Sequence, residues 1–295
     1  MTIGIGVLAS SRPKPHQPRP DSIVLIADTM GSTETDSTDA LFKMWLDDEL
    51  KVYAVGAGSL EYGGELFATI QQQLRLADSE TITEGGHHRT HGRFSAVLNK
   101  SFSLVRQQHF QWDIVHSKLA MPMFGPQSGD VEMLRSEWQK FYLNIHMLVA
   151  TFDHSGMAHL YQIGQLWDAN GMIPKQVHLC LFPGFQVIGT GGENAGFWLN
   201  YRHQYLGRSV EQSLYHAYEA KQMADKAPTV NKNIEIAIIV AQQKAFRLAL
   251  DSPRVEGCPF SLGELDAMFK EYGPQNTDDL GHPKQSVGRK SKGRR

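Results

Sequence analysis

The chain reads as one α+β domain in which two antiparallel sheets pack face to face with helices outside them. Two observations carry this reading. Pairs of short apolar, β-branched segments joined by turn residues alternate with pairs of longer segments of helical period, an order that a layered sheet-and-helix domain satisfies. No second linker divides the 295 residues, and a composition of 41% hydrophobic and 20% charged residues is that of a globular chain able to bury its own core.

The elements follow in order. Residues 2–9 and 22–28 are apolar and rich in isoleucine and valine; the four prolines between them, in 10–20, cannot join a ladder and make an extended hairpin loop. The polar stretch 31–39 reads as a loop. Strands are expected at 40–46 and 51–55, about the acidic turn Asp47-Asp48-Glu49, and Gly56-Ala57-Gly58 breaks the pattern. Leu60, Phe67, Ile70, Leu74 and Ala77 recur at helical intervals, predicting a helix over 59–78. A polar loop over 79–92 leads to helices over 94–117 and 130–142. Asp153-His154-Ser155-Gly156 turns a hairpin between strands at 145–152 and 157–163. Residues 177–189 are strand-like but interrupted at Pro183-Gly184. Gly191-Gly192 opens a helix over 193–205, and Ser209 caps another over 210–225 with Glu211 in its first turn. A buried strand at 234–241, its hairpin partner at 246–250 and a short helix at 261–272 complete the series.

Composition narrows the function classes. Cys180 and Cys258 are far apart and form no CxxC pair, which points to a reducing compartment. No apolar run reaches the ~18 residues a membrane span needs. The start, Met1-Thr2-Ile3-Gly4-Ile5-Gly6, has no basic region and reads as a strand rather than a signal peptide. A small residue after Met1 favours methionine removal in the cytoplasm, leaving Thr2 first. Residues 284–295 hold six basic residues and no acidic one, so a net charge of −2 for the chain leaves −8 for the remainder. This reads as a solvated, disordered tail in preference to a tether to nucleic acid or an acidic partner, so nucleic acid is not an expected partner.

A threonine at a chain start carries its own base. Its α-amine has an ordinary pKa of ~7.7–8.0, and its neutral form can take the proton of the neighbouring hydroxyl, directly or through water. A nearby cation keeps that amine neutral, and a carboxylate must hold the cation, because an unpaired buried lysine is costly. Asp28, ending the second strand, and Lys43, within the third, fit these needs by position. Either alone is better explained as a surface or strand-end charge; the case rests on the set with Thr2. His87, His88 and His91 lack accompanying cysteine or carboxylate ligands and read as a polar loop, with no metal assigned. Gly189, Gly191 and Gly192 lack the spacing of a dinucleotide fingerprint.

Taken together, Thr2-Ile-Gly-Ile-Gly, Ile26-Ala27-Asp28-Thr29, Phe42-Lys43-Met44 and Val55-Gly56-Ala57-Gly58 resemble the opening of a proteasome β-type subunit. Leu148-Val149-Ala150-Thr151-Phe152-Asp153, Ile188-Gly189-Thr190-Gly191-Gly192 and Ser209-Val210-Glu211 through Asn233-Ile234-Glu235 resemble its later segments, so the resemblance runs with gaps over about 2–240. Among the superfamily it is most similar to the HslV and Anbu proteins. It implies an N-terminal nucleophile (Ntn) hydrolase: a four-layer αββα sandwich, ring-like homo-oligomerisation and threonine peptidase chemistry without a cofactor. Carried over, Thr2 is nucleophile and base, Lys43 lowers the amine pKa and Asp28 orients Lys43. Thr190, Asp225 and Thr229 take the supporting positions, the Ala57 backbone N–H is the oxyanion donor, and Val55 lines the substrate pocket.

The implied substrate is a peptide or unfolded protein, delivered by an ATP-dependent unfoldase if one is used, with no membrane involved. Residues 1–250 form the domain, with insertions at about 10–20 and 79–143; 251–275 is a helical extension and 276–295 the basic tail. The alternative is a proteasome-like subunit that assembles without cleaving.

Overall fold

The structure is a computed structural model and describes residues 3–11, 19–28, 31–32, 37–38, 43–82, 91–112, 128–166, 175–225, 234–241, 243–248 and 258–273. Two five-stranded antiparallel sheets organise them. The first has the order β10 (Phe185–Gly189), β1 (Ile3–Ala9), β2 (Ser22–Asp28), β11 (Ile234–Val240), β12 (Phe246–Leu248). The second runs β5 (Met44–Asp47), β6 (Val52–Gly58), β7 (Ile145–Phe152), β8 (Ala158–Leu166), β9 (Lys175–Leu179). A two-residue hairpin, β3 (Gly31–Ser32) with β4 (Ser37–Thr38), lies between them in sequence. The helices are α1 (Leu60–Ile82), α2 (His91–Phe110), α3 (Ser128–Lys140), α4 (Gly192–Tyr201), α5 (Val210–Ala224) and α6 (Leu262–Tyr272).

The period-two alternation of β1 shows why the layers stack as they do. Ile3, Ile5 and Val7 turn to one side, where they pack with Trp198 and Leu199 of α4, Leu214 and Tyr218 of α5, and Leu265 of α6. Gly4 and Gly6 turn to the other side, against the second sheet. A Cβ at Gly4 would come within 2.9 Å of Ile188 and 3.2 Å of Val55, and one at Gly6 within 2.9 Å of Leu160. Glycine at these two positions therefore sets how closely the sheets approach. Leu8, Leu25, Val55, Leu148 and Leu160 fill the space between them. On the outer face of the second sheet, Phe67 and Ile70 of α1 and Leu98 and Phe102 of α2 cover Val149, Tyr161 and Ile163. Each such side chain, fully buried, is worth about 1.5–3 kcal/mol.

Where the observed elements differ from expectation, pairing explains it. Gly56-Ala57-Gly58 does not end its strand; β6 continues because Gly56, Ala57 and Gly58 stay in register with Met147, His146 and Ile145 of β7. The loop expected at 31–39 holds the β3–β4 hairpin. Further along, α2 supplies core residues, and α3 is fixed to it by Arg106. That guanidinium lies 4.1 Å over the Trp138 ring and donates to the Trp138 and Phe141 carbonyls. The central loop prolines of 10–20, His87, His88 and the tail from 276 lie outside the described residues. No helix among the described residues is long and apolar enough to cross a membrane, and no group of three or more potential metal-ligating side chains clusters among them.

Candidate active site

The start of β1 is held from both sides. Ile3 pairs with Gly189 of β10, and Gly4 with Ala27 of β2. This register puts Asp28 level with Ile3, and Asp28 in turn pairs with Ile234 of β11. The Ile3 N–H donates to Asp28 Oδ1 at 3.1 Å, and Lys43 Nζ donates to the same oxygen at 2.9 Å. Both side chains of this ion pair are fully buried. Lys43 immediately precedes β5, and its carbonyl accepts from the Gly56 N–H at 2.9 Å, so backbone and side chain are both fixed. Burial pulls the Lys43 amine below its ordinary value, and Asp28, by charge and hydrogen bond, pulls it back up. Asp28 Oδ2 is buried and has no hydrogen-bond partner among the described residues.

A second buried pair lies at the end of α5. Lys221 Nζ donates to Asp225 Oδ2 at 2.7 Å, one helical turn on, with the lysine fully buried. Burial depresses the Lys221 amine most; Asp225 and then Asp28 raise it, and Lys43 lowers it. Lys221 therefore feels the charges of the first pair as well as that of Asp225. Asp225 was legible from the sequence; Lys221 was not.

The remaining candidates are distributed around the two pairs. Thr190 is exposed, in the turn after β10, one residue beyond the Ile3–Gly189 pair. Val55 is fully buried between the sheets, against Gly4. Ala57 is buried on β6. The Gly56 N–H faces Lys43 and the Ser59 N–H faces Asn144, which precedes β7. Successive N–H groups of a strand point to opposite sides, so the Ala57 N–H is turned toward β7. The next donor on the Lys43 side belongs to Gly58, whose φ of 105° favours glycine. Thr2 and Thr229 lie outside the described residues.

No protein-family model matches the sequence, and no curated protein matches it. Solved structures do. Anbu (ancestral beta-subunit) from Yersinia bercovieri is similar over 92% of this chain and 93% of its own, at a TM-score of 0.59 and 11% identity. The helical assembly of the Anbu complex from Pseudomonas aeruginosa is similar over 92% of both chains, at a TM-score of 0.57 and 12% identity. At these identities the similarity shows a shared fold.

Proposed function

We propose that the chain is a proteasome-like threonine amidohydrolase that cleaves peptide bonds with the hydroxyl of an N-terminal Thr2. One observation carries the proposal: a fully buried Lys43–Asp28 ion pair whose carboxylate also binds the N–H of the residue after Thr2. A buried ion pair is a weak source of stability, and a place beside the residue that follows Thr2 suits an amine that must stay neutral.

In this reading Lys43, held by Asp28, disfavours a second positive charge on the Thr2 amine. The neutral amine takes the Thr2 hydroxyl proton as the oxygen attacks the amide carbon. The carbonyl electron pair moves onto its oxygen, which accepts from the backbone donor at Ala57–Gly58, with Gly58 favoured by the strand alternation. Such a donor is worth ~2.7–4 kcal/mol. Collapse expels the leaving amine, which takes the proton from the Thr2 ammonium, and water then hydrolyses the ester by the reverse proton path. Thr190, Asp225 and Thr229 support the amine and hydroxyl, and Val55 shapes the cleft floor beneath Gly4.

The layering of the three buried clusters supports the αββα sandwich of Ntn hydrolases, with 1–250 as the domain, a helical extension at 251–275 and a tail at 276–295. The shared fold with Anbu, and the helical assembly described for one Anbu complex, support a homo-oligomer. Peptides or unfolded proteins are the substrate class, in the cytoplasm, with an unfoldase as the delivering partner.

Turnover of a panel of fluorogenic peptides by the purified chain tests this. The wild type releases fluorophore, and Thr2→Ala and Lys43→Ala fall by on the order of 10³-fold or more. Undiminished turnover in Thr2→Ala would overturn the proposal.

A further inference from the structure

We infer that the open end of the space between the two sheets carries a polar subsite, built on His146 and Tyr142, that selects an uncharged amide side chain, asparagine or glutamine, in the bound peptide. The inference rests on the peptidase reading above and names a specificity determinant for it.

Strand alternation places the imidazole. On β7, Leu148, Ala150 and Phe152 turn toward the first sheet, and Met147 and Val149 toward α1 and α2. His146 therefore turns toward the first sheet as well. It pairs with Ala57 of β6 on one side and Gly164 of β8 on the other, beside the Ala57–Gly58 donor. A Cβ at Gly164 would lie 2.8 Å from His146 Nδ1, so glycine there makes room for the ring. This end is open: Gly58, Tyr142 and Thr190 are exposed, and His146 is partly so.

The lining is held in place. His146 Nε2 lies 2.7 Å from the Tyr142 hydroxyl. The chain on either side of Tyr142 is clamped. The Phe141 carbonyl accepts from Arg106 Nη2 at 3.0 Å and from Gln165 Nε2 at 2.9 Å, and the Leu143 N–H donates to Gln165 Oε1 at 2.6 Å. Two residues back from Gly164, on the same face of β8, Gln162 Oε1 accepts from Gln186 Nε2 of β10 at 2.8 Å, which bridges the two sheets.

The chemistry of these groups sets the class of side chain. An imidazole, a phenol and two primary amides stand among the apolar side chains of the inter-sheet layer, and burial pulls the His146 imidazole below its ordinary value, which keeps it neutral at pH 7. An apolar side chain would strip water from them without replacing its hydrogen bonds. A charged one would be desolvated with no opposite charge among these four side chains. An amide supplies a donor and an acceptor together.

The test uses internally quenched peptides in which glutamine, glutamate or leucine is placed at one position at a time. They are read as kcat/KM on the wild type and as dissociation constants on the full-length Thr2→Ala chain. One position is expected to favour glutamine over both alternatives by about tenfold, roughly the worth of one net hydrogen bond. His146→Leu should abolish that preference and Tyr142→Phe should weaken it, in turnover and in binding alike. No position that favours glutamine, or a preference unchanged in His146→Leu, overturns the inference; cleavage of the same peptides leaves the catalytic reading standing. Peptides that bind with the preference yet are not cleaved by the wild type overturn the catalytic reading alone. If His146→Leu does not fold, Tyr142→Phe decides: a preference equal to that of the wild type overturns the inference.

Discussion

Lys43 and Asp28 are each other's main compensation for being buried. Among the described residues, Lys43→Met would leave the buried Asp28 carboxylate with the Ile3 N–H as its hydrogen-bond donor. Breaking a buried pair on one side typically costs about 3–5 kcal/mol, so Lys43→Met is expected to lower the unfolding free energy obtained from urea titration by that much. Adding Asp28→Leu should recover part of the loss, because the stranded charge is gone, while activity stays lost. If the single variant were as stable as the wild type, the pair would not be compensating a buried charge. From the sequence, Asp28 at the end of the second strand and Lys43 within the third stood out only as a set with Thr2, since either alone reads as a surface or strand-end charge. Lys221 did not stand out, since Glu219-Ala220-Lys221-Gln222 looks like a solvated helix face. The signal was its surroundings: Ala217, Ala220 and Ala224, with Tyr215 and Tyr218, mark a helix buried around its circumference.

The hairpin turn between β7 and β8 shows how one residue fixes an element. Asp153 Oδ1 accepts from the Ser155 N–H at 2.8 Å, the Ser155 hydroxyl at 2.6 Å and the Met157 N–H at 2.9 Å. Its Oδ2 lies 3.2 Å from His159 Nε2. Burial pushes this carboxyl up, but the hydrogen bonds outweigh it and bring the pKa down from 3.8 to about 2. A depressed folded-state pKa contributes stability above the unfolded value and loses it as pH falls through the folded value. About 2 kcal/mol should therefore be lost between pH 5 and pH 2 on this account. Urea unfolding at the two pH values checks it: Asp153→Asn should show a loss smaller by that amount, and equal losses would contradict the assignment. The Asp-x-Ser-Gly pattern made this turn legible. The continuation of β6 through Gly56-Ala57-Gly58 was not, because glycine weakens a strand locally and only the long-range register with β7 reveals that pairing persists.

Across the whole molecule, the two sheets meet over glycine. Gly6→Ala would drive a methyl into Leu160 and Leu148 and should cost about 1–3 kcal/mol. Gly263→Ala, on α6 where nothing lies within 4 Å of the added carbon, should gain about 0.4–1 kcal/mol. Matched thermal melts compare the two, and similar effects would contradict the view that β1 glycines set the sheet spacing. The sheet-and-helix order was readable from periodicity because β1, β2 and β11 are near-continuous apolar runs. How the strands divide between two sheets was not, since β1 pairs with β10 across more than 170 residues and no local signal encodes such a pairing. That division is what brings Asp28, Lys43 and Ile3 together, so the central claim is best tested on the intact chain. The measurement is the mass of the purified protein before and after exposure to a peptide epoxyketone. The account predicts loss of Met1 and a single adduct mapping to Thr2, absent in Thr2→Ala. Retained Met1, or a free Thr2 that takes no adduct from either an epoxyketone or a β-lactone, would contradict it and favour a subunit that assembles without cleaving.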